Sequence, residues 1–321
     1  MSDIEILSQP NRRRVKDKPG FLNTAGKVLR LQWPLYLMVL PGVVFFILFK
    51  YIPLFGSVMA FQDFRITRGI FGSDWVGLKH FIQFFTYYDL QKVFWNTLVI
   101  AALNLVFTFP APILLAFLFN EIKNRYFKKT VQTLSYLPHF FSWVVIAGLT
   151  YDVLSQNGIV NSVRALMGMD SILLMQKAAY FRGIIVITSI WKEMGWGSII
   201  LLAAISNINP EYYEAATVDG AGKFRQAVSI TFPMLLPTIV ILFLLHIGNF
   251  LELNFDQIIN LLTPMTYSVG DVLETYVYRI GVQGGQYSLT TAIGLFQSVI
   301  GFILITVTNK LSKMYLGEGI W

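Results

Sequence analysis

The sequence predicts an all-α integral membrane protein with six spans, on two observations. Apolar residues fall in blocks of about 20, the length that crosses a bilayer, and Lys and Arg collect on one side of those blocks more than on the other. Composition agrees: hydrophobic residues make up 55% of the 321 and charged residues 13%, against roughly 45–50% and 25% in soluble domains.

Six segments are long enough: 34–56, 95–119, 133–154, 183–205, 233–253 and 289–308. The second and sixth carry no charged residue. A membrane barrel would show alternating segments of about ten residues instead. An even number of spans puts both termini on one side. The segments on that side (1–32, 120–132, 206–232 and 309–321) hold fifteen Lys and Arg, whereas 57–94, 155–182 and 254–288 hold eight. The positive-inside rule therefore predicts cytoplasmic termini. Residues 1–32 are polar, with Arg12, Arg13, Arg14, Lys16 and Lys18, and lack the short apolar core of a cleavable signal. We read them as a retained cytoplasmic tail, 33–313 as the membrane domain and 314–321 as a second tail.

Proline is unusually placed within the blocks: Pro110 and Pro112 in the second, Pro138 in the third, Pro237 in the fifth. Each removes a backbone donor and favours a kink, read either as local packing irregularity or as a hinge. No internal repeat is visible. Carriers built from inverted repeats show two matching sets of spans, so a pathway here is expected between this chain and a partner.

The loop 207–233, NINPEYYEAATVDGAGKFRQAVSITFP, carries the strongest signal. Asn209 followed by Pro210 is a helix start. Glu211 and Glu214 sit where the helix dipole favours anions. Asp219-Gly220 breaks the helix, and a second begins at Gly222 and runs through Lys223 and Arg225. A two-helix elbow with small residues on one face suits docking into a groove on another protein.

Glu214-Ala215-Ala216, three residues, Gly220, nine residues, then Ile230-Thr231-Phe232-Pro233 resembles the EAA loop of bacterial ABC importer permeases. That pattern reads EAA-x3-G-x9-I-x-L-P, and Phe232 stands where leucine is usual. The resemblance implies a type I ABC importer permease fold and a coupling helix that enters a cleft on an ATPase subunit. It assigns that coupling role to Glu214, Ala215, Ala216, Gly220, Ile230 and Pro233, with Asp219 beside them. The stretches 50–64, 72–81, 254–264 and 274–281 resemble the sugar branch of the family, in particular permeases of alginate and other oligosaccharide importers. This implies alginate or its oligosaccharides as cargo, with a neutral oligosaccharide as the alternative. It also implies partners: a second permease, expected to be a different chain, two ATP-binding subunits, a periplasmic solute-binding protein and membrane lipid. Nucleic acid is not among them.

Energy must come from elsewhere. A P-loop reads GxxxxGK[ST], and the only Gly-Lys pairs, Gly26-Lys27 and Gly222-Lys223, match neither end of it. ATP and Mg are thus expected on the ATPase subunits, with no cofactor on this chain. An intramembrane enzyme is the rival class. His80, His139 and His246 are far apart, HExxH is absent and there is no cysteine, so no metal or catalytic constellation is expected. A channel or ATP-independent carrier would have no ATPase for the elbow to dock.

Charges inside spans cost roughly 2.5–3.5 kcal/mol each on insertion scales and face an interior or a partner. Lys192 and Glu193 lie in the fourth span between Trp191 and Trp196. Asn249, Glu252 and Asn254 end the fifth, and Gln297 lies in the sixth. Two readings stand: a polar translocation path, in which Lys192 offsets a uronate, or polar contacts between helices. His139 and His246 read as hydrogen-bonded interior residues. Asp63, Arg65, Arg68, Trp75, Asp256, Asp271, Glu274 and Arg279 read as a solvated outer face.

Overall fold

In hydrocarbon a chain must satisfy its backbone within itself, which for this composition means helices. The computed structural model describes residues 21–320, with side chains from Gln32 onward. Among them, five helices are long and apolar enough to cross a membrane: Gln32–Phe61, Tyr88–Glu121, Ala178–Ser206, Lys223–Gly248 and Tyr287–Leu316. A sixth candidate is the pair Arg125–Phe140 and Trp143–Leu166, bent by 106° at its break. We number these spans one to six in chain order, the bent pair being span three.

The chain divides into two compact units, Met1–Gly56 and Ser57–Trp321. The first contains the helix Phe21–Phe46, with Pro34 and Pro41 inside it, followed by a π-turn at Ile47–Tyr51. Most of the expected N-terminal tail, residues 1–20, lies outside the described residues. From Phe21 that stretch is helical.

The second unit opens with a feature the all-helical reading did not include. Gln62–Asp63 pairs antiparallel with Asp74–Trp75. The Ser73 hydroxyl ties the connection together, accepting from the Arg65 N–H and donating to the Gly69 carbonyl.

Span two meets its prolines with a π-turn. The Phe109 N–H reaches back five residues to the Asn104 carbonyl, at 3.0 Å, which resets the ladder just before Pro110. Span three, expected as one run over 133–154, is broken. Pro138 sits in a 3-10 turn, Leu137–Phe140, and Ser142 restarts the chain as an extended N-cap for Trp143–Leu154. Span five ends at Gly248, five residues before the expected end. Asn254 instead caps a separate helix, Phe255–Leu261, by accepting from the Gln257 N–H at 3.0 Å. Span six runs to Leu316, and Gly317 closes it in the left-handed conformation.

Span four is the hub, half buried along its apolar window. Its buried positions, among them Phe181, Ile185, Thr188, Lys192, Gly195, Ser198, Leu201 and Ile205, recur every three or four residues, as one helix face requires. Near one end it joins Ile100, Ile258, Leu261 and Val272. Near the other it packs with Ala116, Leu235 and Ile239. At Gly195 a methyl group would collide with the Ser135 carbonyl, so the two backbones meet only because that side chain is missing.

Candidate coupling elbow and intramembrane cleft

The elbow forms as its local chemistry dictates. Asn209 Oδ1 accepts from the Glu211 N–H at 3.1 Å, and Pro210 fills the adjacent position. The helix Glu211–Val218 closes with Gly220 at φ +78°. The Gly220 N–H donates to the Thr217 carbonyl at 3.1 Å and the Ala221 N–H to the Ala216 carbonyl at 2.8 Å, the paired bonds of a Schellman motif. Gly222 is extended and opens Lys223–Gln226, which continues through a π-turn at Ala227–Thr231 into Phe232–Gly248. The second arm of the elbow is therefore the base of span five.

Ala215, Ala216, Asp219, Ile230 and Pro233 line one cleft of about 460 Å³, with Tyr212, Ser229 and Met234. Glu214 and Gly220 lie on the exposed outer side of the elbow. Val218 and Phe224 project from the corner at 88% and 84% exposure. Neither belongs to the motif. The available signal was a large apolar residue on either side of the polar and small run 219–223.

A second, polar cleft of about 180 Å³ lies between spans. It brings together Glu193, Asn249, Glu252 and Asn254 with Asn104, Thr108, Ser189, His246 and Gln257. Sequence reasoning missed Asn104, Ser189 and Gln257. Asn104 was legible as an amide in a charge-free span. Gln257 is buried: its Nε2 donates to the Ile185 carbonyl (2.8 Å) and Thr188 Oγ1 (2.9 Å), and its Oε1 accepts from Ser189 Oγ (3.0 Å). It fixes the helix Phe255–Leu261 to span four.

The other candidates go elsewhere. Lys192 is 6% exposed, and its Nζ donates to the carbonyls of His139 (2.6 Å), Phe141 (2.7 Å) and Pro138 (3.5 Å). These carbonyls lie at the break in span three, where a helix end is electronegative; the Pro138 carbonyl also accepts from the Phe141 N–H at 3.2 Å. Its neighbour Glu193 turns away to His139 Nδ1, 2.9 Å from its Oε2. The His139 ring stacks flat on Trp196 at 4.5 Å. Trp191 lines a separate apolar cavity of about 280 Å³, with Leu149 and Ile184. Gln297 donates to the Leu251 carbonyl (3.2 Å) and to Glu274 Oε1 (3.1 Å), outside the cleft.

Glu274, in the connection between spans five and six, has one satisfied oxygen and one buried oxygen without a partner. Burial pushes its carboxyl up to about 7. Nearby, Arg279 grips Asp271 through two bonds of 3.1 and 2.6 Å, which holds the guanidinium pKa above its ordinary value. Among the described residues no cluster of three or more His, Asp or Glu is placed to hold a metal ion.

An apolar helical bundle with a polar cleft between its spans, and a capped elbow rooted in one span, defines a transport permease. The chain belongs to the family of binding-protein-dependent transport system inner membrane components, whose profile matches residues 108–314. It is 46% identical over 288 residues to the polygalacturonan/rhamnogalacturonan transport system permease YteP of Bacillus subtilis, covering 89% of this chain and 90% of that one. It is 41% identical over 306 residues to the protein LplB of the same organism, covering 93% and 96%. Among solved structures it resembles a chain of a bacterial alginate ABC transporter in complex with an alginate pentasaccharide-bound periplasmic protein. There the TM-score is 0.85 at 39% identity, over 92% of this chain and 99% of that one. The protein is thus a multi-pass inner-membrane permease of an ABC importer, and ATP hydrolysis belongs to a separate subunit.

Proposed function

We propose that this chain is one permease half of an ATP-driven importer of oligo- or polysaccharide. It pairs with a second, different permease, takes ATP and Mg chemistry from two ATP-binding subunits through the elbow, and receives cargo from a periplasmic binding protein. Both termini and the elbow face the cytoplasm. The observation that carries this reading is the elbow itself: a capped helix whose corner residues, Val218 and Phe224, are exposed and whose second arm is continuous with span five. ATPase closure against the corner then rocks the spans between outward- and inward-open states. The coupling residues are Glu214, Ala215, Ala216, Asp219, Gly220, Ile230 and Pro233. The test is copurification of ATPase subunits with the wild-type chain and with Gly220→Val and Glu214→Ala. Association and ATP-dependent uptake are expected to fall in both variants. Full ATP-dependent uptake in both overturns the assignment.

The cleft between spans supports the cargo path, with Glu193, Asn249, Glu252 and Asn254 as contacts. The structures and relatives above, named for alginate and for polygalacturonan/rhamnogalacturonan, support alginate or its oligosaccharides as cargo. One observation favours the second reading, a neutral oligosaccharide. The cleft is lined by two carboxylates and neutral amides and hydroxyls, with no Lys or Arg. A uronate therefore needs cations from the second permease. Competition for uptake between an alginate oligosaccharide and a neutral oligosaccharide of equal length separates the two.

A further inference from the structure

We propose that Tyr213, Thr231 and Gln226 are positioning residues that brace the elbow against span five, so that a push on the elbow moves the span instead of bending the turn. The proposal rests on the reading that the elbow docks an ATPase subunit.

The turn between the two arms is soft by itself. It runs through Gly220 and Gly222, two residues without side chains, and is solvent-exposed except at Ala221. A push on the exposed corner would be absorbed there as backbone rotation. Two sets of side-chain bonds close the angle. Tyr213 Oη lies 2.9 Å from Thr231 Oγ1, and Thr231 is 1% exposed. Gln226, 4% exposed, donates from Nε2 to Thr217 Oγ1 (2.9 Å) and to the Ala221 carbonyl (3.0 Å). Tyr213 and Thr217 are one turn apart on a single face of the elbow helix, and the Thr217 hydroxyl donates back to the Tyr213 carbonyl at 2.7 Å.

A hinge with a cross-member on the same two arms is a rigid triangle. The brace bonds are half-buried, and two of their residues, Thr231 and Gln226, are buried, so water does not readily replace them. None of the three residues lies at a motif position. Tyr213 precedes the EAA triplet, Gln226 falls in the nine-residue spacer, and Thr231 occupies the free position after Ile230. The motif sets the shape of the elbow, and these groups set its stiffness.

The experiment uses the complete importer in proteoliposomes. The chain has no cysteine, so nitroxide pairs can be placed at Glu211→Cys with Leu245→Cys, and at Ile187→Cys with Leu245→Cys. All three sites are exposed, and none is in the docking corner. The first pair reads the elbow against span five. The second reads span five against span four as ATP is added. In Tyr213→Phe and Thr231→Val, the ATPase subunits are expected to stay bound and to hydrolyse ATP. The population with a bent elbow should rise roughly three- to tenfold, the factor that one buried hydrogen bond represents, and the ATP-driven displacement of span five should shrink. Thr231→Ser, which keeps the hydroxyl, should restore both. Unchanged distance distributions in Tyr213→Phe and Thr231→Val overturn the proposal. So does loss of ATPase binding in these variants alone, since the groups would then shape the docking surface and not transmit force. If the wild-type chain shows no proximity between position 218 and the ATPase, the docking reading itself fails.

Discussion

The elbow and the intramembrane cleft are built in opposite ways. Every bond that shapes the elbow joins residues close in sequence: Asn209 to Glu211, Gly220 to Thr217, Ala221 to Ala216, Tyr213 to Thr231. The cleft depends on pairs such as Ser189 with Gln257 and Glu193 with His139, separated by 68 and 54 positions. A locally closed unit can present one shape while the rest of the molecule moves. A unit assembled from distant segments changes shape whenever they shift, as alternating access demands of a cargo site.

The largest expected effect tests the non-local side of that contrast. Lys192→Met removes the donor that three carbonyls share at the break in span three. Leaving the His139 and Phe141 carbonyls without that donor should cost about 3 to 5 kcal/mol together, at about 1 to 3 for each unsatisfied group. The check is thermal unfolding of the detergent-solubilised chain against wild type, with Lys192→Arg as the charge-preserving control. An unchanged midpoint in Lys192→Met would mean that the lysine is not what holds the break. It would also return Lys192 to the list of residues available to a uronate.

A slightly smaller effect, set by pH, is expected at Glu274. Its carboxyl is at about 7 in the fold against 4.5 for the ordinary side chain. Between those values the folded chain keeps a proton that the unfolded chain has lost, so stability declines as pH rises. The favourable contribution is complete below about 4.5, falls through the window and is gone above about 7, with a full amplitude of roughly 3 kcal/mol. Unfolding midpoints from pH 5 to 8 should show this decline in wild type and a flatter profile in Glu274→Gln. A wild-type profile that rises over the same window contradicts it.

Legibility followed the same divide. The cap at Asn209, the stop at Gly220 and the six apolar blocks could be read because each depends on residues within one or two turns. The 106° bend at span three could not, although Pro138 marked the place. Whether a proline kinks a span or ends it depends on who satisfies the freed carbonyls, and here that is a lysine on span four. Lys192 stood between two readings, a cation for cargo or a contact between helices, because adjacent residues on a helix face different ways, and the sequence does not say which way leads to the cleft. Gly195 was equally silent, its role being the Ser135 carbonyl pressed against it. Gly195→Ala should therefore cost about 1 to 3 kcal/mol, the usual range for overpacking, whereas Gly148→Ala, where the added carbon meets nothing within 4 Å inside the helix Trp143–Leu154, should cost nothing and stabilise by about 0.5 to 1 kcal/mol. Equal midpoints for the two would show that spans three and four do not meet as closely as this.

The smallest stability effect is expected one residue from the largest. The Glu193–His139 pair is partly exposed, with side chains at 39% and 29%, and such pairs contribute about 1 kcal/mol or less. Glu193→Gln should leave the unfolding midpoint nearly where it was, because the amide can still accept from His139. What it removes is one of the two carboxylates that line the cleft. If cargo passes there, uptake of a uronate oligosaccharide should rise as repulsion falls, while uptake of a neutral one should hold or decline. Identical uptake of both in Glu193→Gln and wild type would take Glu193 off the path and leave Asn249, Glu252 and Asn254 to define it. A large stability loss in Glu193→Gln would instead make both neighbours structural, and the contrast between Lys192 and Glu193 would disappear.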